Sequence, residues 1–242
     1  MCLLHQEMNL IITPVYNAWD KVAEMCGSVD WLAEMAFLHV LIDDDSYDYS
    51  GPMPSITANR KILTIRRSIA DEDRKNGQAQ AMQMGYDWAH YKFMNEKENP
   101  QYEHVFLLES DVIPLDKGFD RKMIDISQTI PEDWATLDMQ SVDGEGKLSY
   151  PTTVSPRNGI VRDDLEHMHY ADFQCTLFHP ECFTCGVKWS DFPSHFDALW
   201  SRKIEEITGR KHYRTTLVKA FHYAFSSRRT LPGVTMGPSN TK

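Results

Sequence analysis

The 242-residue sequence lacks features that would place it in several common protein classes. No segment approaches the roughly 20 consecutive apolar residues that a membrane-spanning helix needs. The first residues, MCLLHQEMNLII, contain neither a basic stretch nor a signal-peptide cleavage site. Positive charge is also scarce, because 35 acidic residues outweigh 25 lysines and arginines. We therefore expect a cytoplasmic protein without stable membrane insertion, for which nucleic acid is a disfavoured partner.

Cysteine is similarly scarce, with five residues in the whole chain, an odd number that does not make a complete disulfide framework. Cys175, Cys182 and Cys185 lie close to His179 in the sequence, and together these side chains could supply the four ligands of a zinc ion. The second C-x-x-C or paired histidine that usually completes such a site is missing. Buried, reduced cysteines are the preferred interpretation, and zinc binding stays open.

Two common nucleotide-binding motifs are also missing. The sequence contains no G-x-x-x-x-G-K-[ST], and no G-x-G-x-x-G follows the first predicted strand, which excludes a P-loop enzyme and a dinucleotide-binding dehydrogenase. No internal repeat, low-complexity tract or long linker is visible. With 42% hydrophobic residues, the chain can bury a large core, so we expect one domain over residues 1–242.

The first half of the sequence alternates between predicted strands and helices. Short apolar runs predict strands at residues 9–16, 39–42, 61–65 and 104–108. Helical spacing of apolar residues predicts helices at residues 18–26, 76–93 and 117–126. This alternation predicts an open α/β sheet of parallel strands with right-handed crossovers. Ligands of such sheets bind beyond the carboxyl ends of the strands.

Polar residues follow each predicted strand. The four segments are 13–17 (TPVYN), 43–48 (DDDSYD), 66–67 (RR) and 109–111 (ESD). Each alone is explained as turn chemistry, but two acidic segments at one sheet edge repel each other unless a cation lies between them. Oxygen ligands favour Mg²⁺ or Mn²⁺ over Zn²⁺. Because Mg²⁺ is usually held by a few carboxylates and by phosphate oxygens, the implied co-ligand is a diphosphate.

In order and spacing, these segments resemble GT-A-fold nucleotide-sugar glycosyltransferases, a large family of inverting transferases. Residues 9–17 resemble the opening strand with its P-x-Y-N, 42–48 (IDDDSYD) resemble V-D-D-G-S-x-D, and 76–89 resemble the Gly- and Ala-rich crossover helix. Residues 109–111, followed by Ile113 and Pro114, are similar to the D-x-D signature. The resemblance covers roughly the first half of the chain. It implies a GT-A-like, open and mostly parallel sheet flanked by helices, with a C-terminal acceptor-side segment.

The resemblance also implies two functional parts: residues 1–125 form the nucleotide-sugar-binding half, and residues 126–242 form the acceptor-binding half and the C-terminal tail. Asp111 would bind Mn²⁺ or Mg²⁺, and Glu109 would hold ribose or a metal-bound water, or reach the metal itself. The implied nucleotide-sugar-binding residues are Thr13, Tyr16, Asp43, Asp44, Glu109, Ser110, Arg228 and Arg229. Two residues depart from the family pattern: Glu109 stands where the family usually has Asp, and Asp45 where it usually has Gly.

The second half carries the implied catalytic residue. Residues 173–183 (FQCTLFHPECF) resemble a family segment in which a strand leads into a helix. Residues 196–204 (FDALWSRKI) resemble the helix start E-D-x-x-W/L-x-x-R, with Phe196 in place of Glu and Asp197 as the second acid. The resemblance implies that Asp197 removes the proton of the acceptor hydroxyl. The alternative is that Asp197 caps a helix over residues 198–208.

A strand predicted over residues 213–223 ends near His222, and the resemblance implies that His222 is a third metal ligand. His169 and His179 compete for that role, and a packed core histidine is the alternative. Residues 226–242, which contain Arg228 and Arg229, are predicted to close over the diphosphate. An ordinary frayed terminus is the competing interpretation of this segment.

The expected function is therefore metal-dependent transfer of a hexose from a UDP- or GDP-sugar to an acceptor hydroxyl, with inversion. The acceptor is open between a glycan, a lipid, a protein and a modified nucleobase. One alternative is a sugar-phosphate nucleotidyltransferase, which usually has a Gly-rich basic loop after the first strand that this sequence lacks. The other is a non-enzymatic divalent-ion-binding module, although nothing in the sequence resembles an EF-hand loop.

Overall fold

The computed structural model describes residues 8–46, 53–54, 57–65, 77–95, 102–143, 146, 160–162, 164–192 and 196–223. Several predicted features lie outside these residues: Asp48, the arginines at 66 and 67, the helix start at Asn76, and the C-terminal segment with Arg228 and Arg229. Within the described residues, no helix has the length and apolar character needed to cross a membrane.

Ten strands and five α-helices occur in the described part of the chain. The strands are β1 (Met8–Val15), β2 (Ala36–Asp44), β3 (Arg60–Ile65), β4 (Tyr102–Leu108), β5 (Val112–Pro114), β6 (Trp134–Val142), β7 (Ile160–Arg162), β8 (Leu165–Met168), β9 (Cys175–Phe178) and β10 (Lys211–His222). The helices are α1 (Trp19–Leu32), α2 (Gly77–Asn95), α3 (Phe119–Ser127), α4 (Glu181–Thr184) and α5 (Phe196–Thr208).

The strands form one sheet in the order β3-β2-β1-β4-β9-β6-β10-β8-β7, with β5 paired to β10. β1, β2, β3 and β4 run parallel, as the alternation of strands and helices predicts. β9 lies antiparallel between β4 and β6, while β10 is parallel to β6 and antiparallel to β8 and β5. The prediction of a mostly parallel α/β sheet is confirmed.

Helices cover both faces of the sheet, which explains why its central strands read as continuous apolar runs. Alternate residues of β1 serve the two faces: Ile11 joins one apolar cluster and Ile12 the other. The first cluster includes helix residues Val22, Met25, Val29, Phe119 and Met123. The second includes Ala79, Met82, Ala89, Trp200 and Ile204. These contacts fix α2 and α5 on the same face.

Helix α2 contacts the sheet at a glycine, Gly85. A Cβ atom added at Gly85 would lie 2.6 Å from Ile42 Cδ1 and 3.1 Å from Ile12 Cγ2, closer than side chains normally approach. Glycine therefore allows α2 to press against β1 and β2. This contact holds the helix in place along the sheet.

The C-terminal end of helix α1 differs from the predicted one. Its expected end was residue 26, just before Gly27, yet the helix continues to Leu32. An added Cβ at Gly27 would meet nothing within 4 Å, so this glycine lies on the open side of the helix. Val29, two residues further and on the opposite side of the helix, is fully buried. Burial of this apolar face outweighs the weak helix propensity of glycine.

Candidate metal centre

Three side chains that could bind a metal ion converge where β4 and β10 end. They belong to Glu109, Asp111 and His222, and one ligand atom from each lies within 4.8 Å of the others. His222 Nε2 lies 3.6 Å from Asp111 Oδ1. Asp111 and His222 are buried, and Glu109 is half-buried. Among the described residues, this is the one group of three or more acidic, histidine or cysteine side chains with such spacing.

The convergence follows from strand pairing. β5 begins directly after Asp111 and runs antiparallel to β10, which sets His222 opposite Val112. The Tyr223 N–H donates to the Asp111 carbonyl at 3.0 Å. The Glu109 backbone is fixed by its N–H donating to the Gln174 carbonyl at 2.9 Å. A long-range antiparallel pair therefore brings a residue near the end of the described chain to the acids that follow β4.

The donor set fits a divalent cation. Burial lowers the pKa of His222, while the charge of Asp111 acts in the opposite direction. The imidazole is therefore mainly neutral near pH 7, which is the form that binds metals. Two carboxylates and one imidazole suit Mn²⁺ better than Mg²⁺, because Mg²⁺ prefers oxygen ligands.

The carboxyl ends of β1 and β2 meet at the neighbouring part of the same sheet. Asp43 and Asp44 are buried at the end of β2. Asp43 Oδ1 accepts the Ser46 N–H at 3.1 Å, and Ser46 Oγ accepts the Asn17 N–H at 3.0 Å. Asp45 has φ of 55°. Glycine, the residue usual at this position in the resembling family, adopts this left-handed conformation without strain, whereas aspartate does so at a cost.

Thr13 and Tyr16 occupy different environments near this edge. Thr13 is fully buried, and its hydroxyl hydrogen-bonds His39 Nε2 at 3.0 Å. Burial and the charge of Arg60 lower the pKa of His39 to about 3, so its ring is neutral. Tyr16 follows the end of β1 and is half-buried. Direct contact of Thr13 with a nucleotide base stays a prediction, and its side chain has no exposed surface in this structure.

Asp197 lies inside the first turn of α5, which begins at Phe196. The alternative prediction of a helix over residues 198–208 capped by Asp197 is therefore wrong, because the cap precedes the helix. Asp197 Oδ1 instead accepts the N–H of the next residue, Ala198, at 2.8 Å. The side chain is half-buried, and its role as a base stays a prediction.

Asp172 is a candidate residue that the sequence patterns missed. Burial raises its pKa well above the ordinary value, and the charges of Asp138, Glu109 and Asp197 raise it further, against Arg214. These charge effects link Asp172 to both the metal centre and α5. Its N–H donates to Asp138 Oδ2 at 2.8 Å. Asp172 follows no predicted strand, so only the acid itself, just before the segment 173–183, could have pointed to it.

The competing histidines and the cysteines lie elsewhere. His169 is exposed, and His179 packs edge-to-face on Trp134 with ring centroids 5.0 Å apart. The Cys182 thiol donates to the Ala135 carbonyl and the Cys185 thiol to the Cys182 carbonyl. Within the described ranges these residues form no group with the spacing of a metal site. Trp189 and Trp200 are 2% and 1% exposed and belong to the core, so neither ring is available to stack on an acceptor in this structure.

Comparison with known proteins gives structural matches alone. No protein-family model and no curated protein sequence matches the chain. S. aureus TarS 1–349 in complex with UDP-GlcNAc matches with TM-score 0.60 and 12% identity, over 93% of this chain and 61% of that one. A second match is the mannosyltransferase PcManGT from Pyrobaculum calidifontis in complex with GDP-Man and Mn²⁺. Its TM-score is 0.54 and its identity 10%, over 91% of this chain and 57% of that one.

The chain has a GT-A-like glycosyltransferase fold. It spans less than two thirds of these matched structures, and only 37% of a longer TarS chain that matches with TM-score 0.58 and 13% identity. Within this GT-A-like fold, the candidate metal centre lies at the carboxyl edge, where open α/β sheets bind their ligands.

Proposed function

We propose that the protein is a metal-dependent glycosyltransferase of the hexosyltransferase type. It moves a sugar from a nucleotide-diphosphate sugar to an acceptor hydroxyl with inversion. The observation that carries this proposal is the convergence of Glu109, Asp111 and His222 beyond β4 in a GT-A-like fold. The matched structures add support, since one holds UDP-GlcNAc and another holds GDP-Man with Mn²⁺.

The metal would be held by Asp111, Glu109 and His222. When bound, Mn²⁺ or Mg²⁺ supplies positive charge that stabilises the departing nucleoside diphosphate. Tyr16 would stack on the base, and Asp43 or Asp44 would accept hydrogen bonds from the base or ribose. Thr13, whose hydroxyl is hydrogen-bonded to His39, would help to shape the base pocket.

Further contacts to the donor are proposed for residues near and beyond this edge. Ser110, buried between the two acids of the metal centre, would lie beside the nucleotide sugar. Arg228 and Arg229 would pair with the diphosphate. Residues 1–125 would thus bind most of the donor, and residues 126–242 would form the acceptor-binding half and the C-terminal tail. His222, Arg228 and Arg229 would be the contributions of this second part to the donor site.

The transfer itself needs one base. Asp197 would take the proton from the acceptor hydroxyl while the oxygen attacks the anomeric carbon from the face opposite the diphosphate. The bond between the sugar and the diphosphate breaks as the new bond forms, and its electron pair leaves with the diphosphate. No covalent intermediate with the protein is required. Asp172, whose pKa is raised, is the rival for the role of base.

The acceptor class is a glycan, a lipid, a protein or a modified nucleobase, and the donor can be identified first. Purified protein should be incubated with UDP- and GDP-sugars, with Mn²⁺ or with EDTA, and the released UDP or GDP measured. With water as the acceptor, we expect slow hydrolysis of one donor when Mn²⁺ is present and none when EDTA is present. Hydrolysis that persists in EDTA would contradict metal dependence.

Calorimetry separates the two alternatives. A glycosyltransferase should bind UDP or GDP when Mn²⁺ is present and lose that binding in EDTA. A sugar-phosphate nucleotidyltransferase should prefer a nucleoside triphosphate, and a simple ion-binding module should ignore nucleotides altogether. Either of those two results would overturn the proposal.

A further inference from the structure

Glu109 receives a strong hydrogen bond from a helix that is distant in sequence. Gln78, in the first turn of α2, donates from Nε2 to Glu109 Oε1 at 2.6 Å. The backbone of Glu109 is already fixed on both sides, because its N–H donates to Gln174 and its carbonyl accepts the Val112 N–H at 3.1 Å. Gln78 adds a restraint on the Glu109 side chain.

The restraint matters because glutamate is longer than the aspartate usual at this position in the resembling family. The additional methylene adds a rotatable bond, and ordering it costs conformational entropy whenever the carboxylate binds a ligand. A hydrogen bond that orders the Glu109 side chain before the cation binds reduces the entropy lost on binding. A neutral amide suits the task, since a lysine would compete with the cation for the carboxylate charge.

Gln78 is itself carried by a firmly placed element. Gly85 lets α2 press against β1 and β2, where an added Cβ would lie 2.6 Å from Ile42. Along the same helix, Gln83 Oε1 accepts the Trp189 N–H at 3.1 Å. Contacts on both sides therefore restrict movement of α2 relative to the sheet, and Gln78 can hold Glu109 in one orientation.

We propose that Gln78 is a positioning residue for the metal centre, which holds Oε1 of Glu109 so that the other carboxylate oxygen binds the cation. The proposal rests on the function proposed above and deepens it. Glu109 and Gln78 then act as a pair that together replaces a shorter aspartate. Loss of the amide should weaken cation binding through Glu109 and through no other residue.

The test is a double-mutant cycle on Mn²⁺ alone, measured by the loss of the free Mn²⁺ signal in electron paramagnetic resonance. The variants are Gln78→Ala, Glu109→Asp and the double variant. We expect Gln78→Ala to weaken Mn²⁺ binding by about 10-fold, the lower range for groups that orient metal ligands. In the Glu109→Asp background the same change should have no effect, because the shorter side chain cannot reach Gln78.

Gln80→Ala is the matched control, since Gln80 is half-buried in the same helix but faces a different side. It should bind Mn²⁺ like the unchanged protein. Gln78→Met keeps a long side chain that favours helix and removes the amide donor, so it should weaken Mn²⁺ binding even if Gln78→Ala alters the helix. Thermal unfolding of each variant checks that the fold persists.

The outcomes distinguish this proposal from the proposed function. If Gln78→Ala binds Mn²⁺ normally, or weakens it equally in the Glu109→Asp background, Gln78 does not act through Glu109 and the inference is wrong. If the unchanged protein binds Mn²⁺ but no UDP or GDP, the proposed function fails while the cycle still decides the role of Gln78. If it binds no Mn²⁺ at all, both fail.

Discussion

The acids of the two halves of the sheet have different surroundings. In the parallel half, made of β1 to β4, Glu109 and Asp111 stand just beyond the end of β4. In the mixed half, made of β6 to β10, Asp138 lies within a strand, fully enclosed, and accepts bonds from the Thr176 hydroxyl and the Asp172 N–H. Carboxylates at the edge of the sheet can bind a cation together. An enclosed carboxylate such as that of Asp138 instead fixes a neighbouring loop by accepting hydrogen bonds. The comparison predicts that mutations in the first set change ligand binding, while mutations in the second change catalysis or stability.

The largest effect should come from Asp111, the buried acid of the metal centre. Asp111→Asn removes a charge that balances the cation, so both turnover and Mn²⁺-dependent UDP binding should fall. A metal supplies several kcal/mol of charge stabilisation, so we expect at least about a 1000-fold loss of donor hydrolysis. Asp87→Asn, an exposed change on α2, is the control. Normal donor hydrolysis by the Asp111→Asn variant would show that Asp111 does not bind the metal.

A smaller effect, on kcat alone, should follow from Asp197→Asn. A general base contributes about 100-fold or more, and it does not hold the nucleotide. Calorimetry should therefore show normal UDP binding while transfer slows. Asp172→Asn is the matched comparison because Asp172 is the rival base and the charge of Asp197 helps to raise its pKa. If Asp172→Asn abolishes kcat and Asp197→Asn does not, Asp172 is the base instead.

His222 joins the two halves, so His222→Ala tests whether the mixed half contributes to the metal. We expect Mn²⁺ affinity to fall by at least about 10-fold, a size known even for residues that merely orient ligands. Asp111 and Glu109 would still bind the ion weakly. His169→Ala, at an exposed position, should leave Mn²⁺ binding unchanged. Equal Mn²⁺ affinities for the two variants would show that His222 does not bind the metal, which would then be held by residues of the parallel half.

The smallest functional effect is expected for Asp138, whose influence should appear in stability. Burial raises the pKa of Asp138 to about 6 in the folded protein, despite the opposing bonds from Thr176 and Asp172 and the charge of Arg214. The folded state then binds more protons than the unfolded state between about pH 4 and pH 6. The free energy of unfolding should therefore fall across this range as pH rises, by up to about 3 kcal/mol from this group.

Asp138→Asn should flatten that pH dependence. The amide keeps an acceptor for the Asp172 N–H and removes a charge that raises the pKa of Asp172. Urea unfolding between pH 4 and pH 7 measures the change, with Asp125→Asn on the exposed side of α3 as the control. An unaltered slope in Asp138→Asn would show that folding does not shift the pKa of Asp138.

The same contrast explains what the sequence could predict. In the parallel half, apolar runs mark β1, β2 and β4, and the residues that follow each run lie at one edge by necessity. Glu109 and Asp111 could therefore be placed from local pattern alone. The neighbouring Asp43 and Asp44 followed from the same rule.

Pairing in the mixed half depends on contacts far apart in sequence, which local patterns do not encode. The four residues of β9 insert antiparallel between β4 and β6 and carry the loop with Asp172 to Glu109. His222 was named through family resemblance, but its position opposite Val112 comes from the β5–β10 pair. Gln78 was predicted to lie on a helix, and nothing in its spacing indicated a bond to Glu109.

The most direct test of the metal centre is the linkage between Mn²⁺ and UDP or GDP, measured by calorimetry in both orders. If Glu109, Asp111 and His222 hold one ion that a diphosphate joins, each chain should bind one Mn²⁺. The nucleotide should tighten Mn²⁺ binding by the same factor by which Mn²⁺ tightens nucleotide binding. Equal nucleotide affinity with Mn²⁺ and with EDTA would contradict the account.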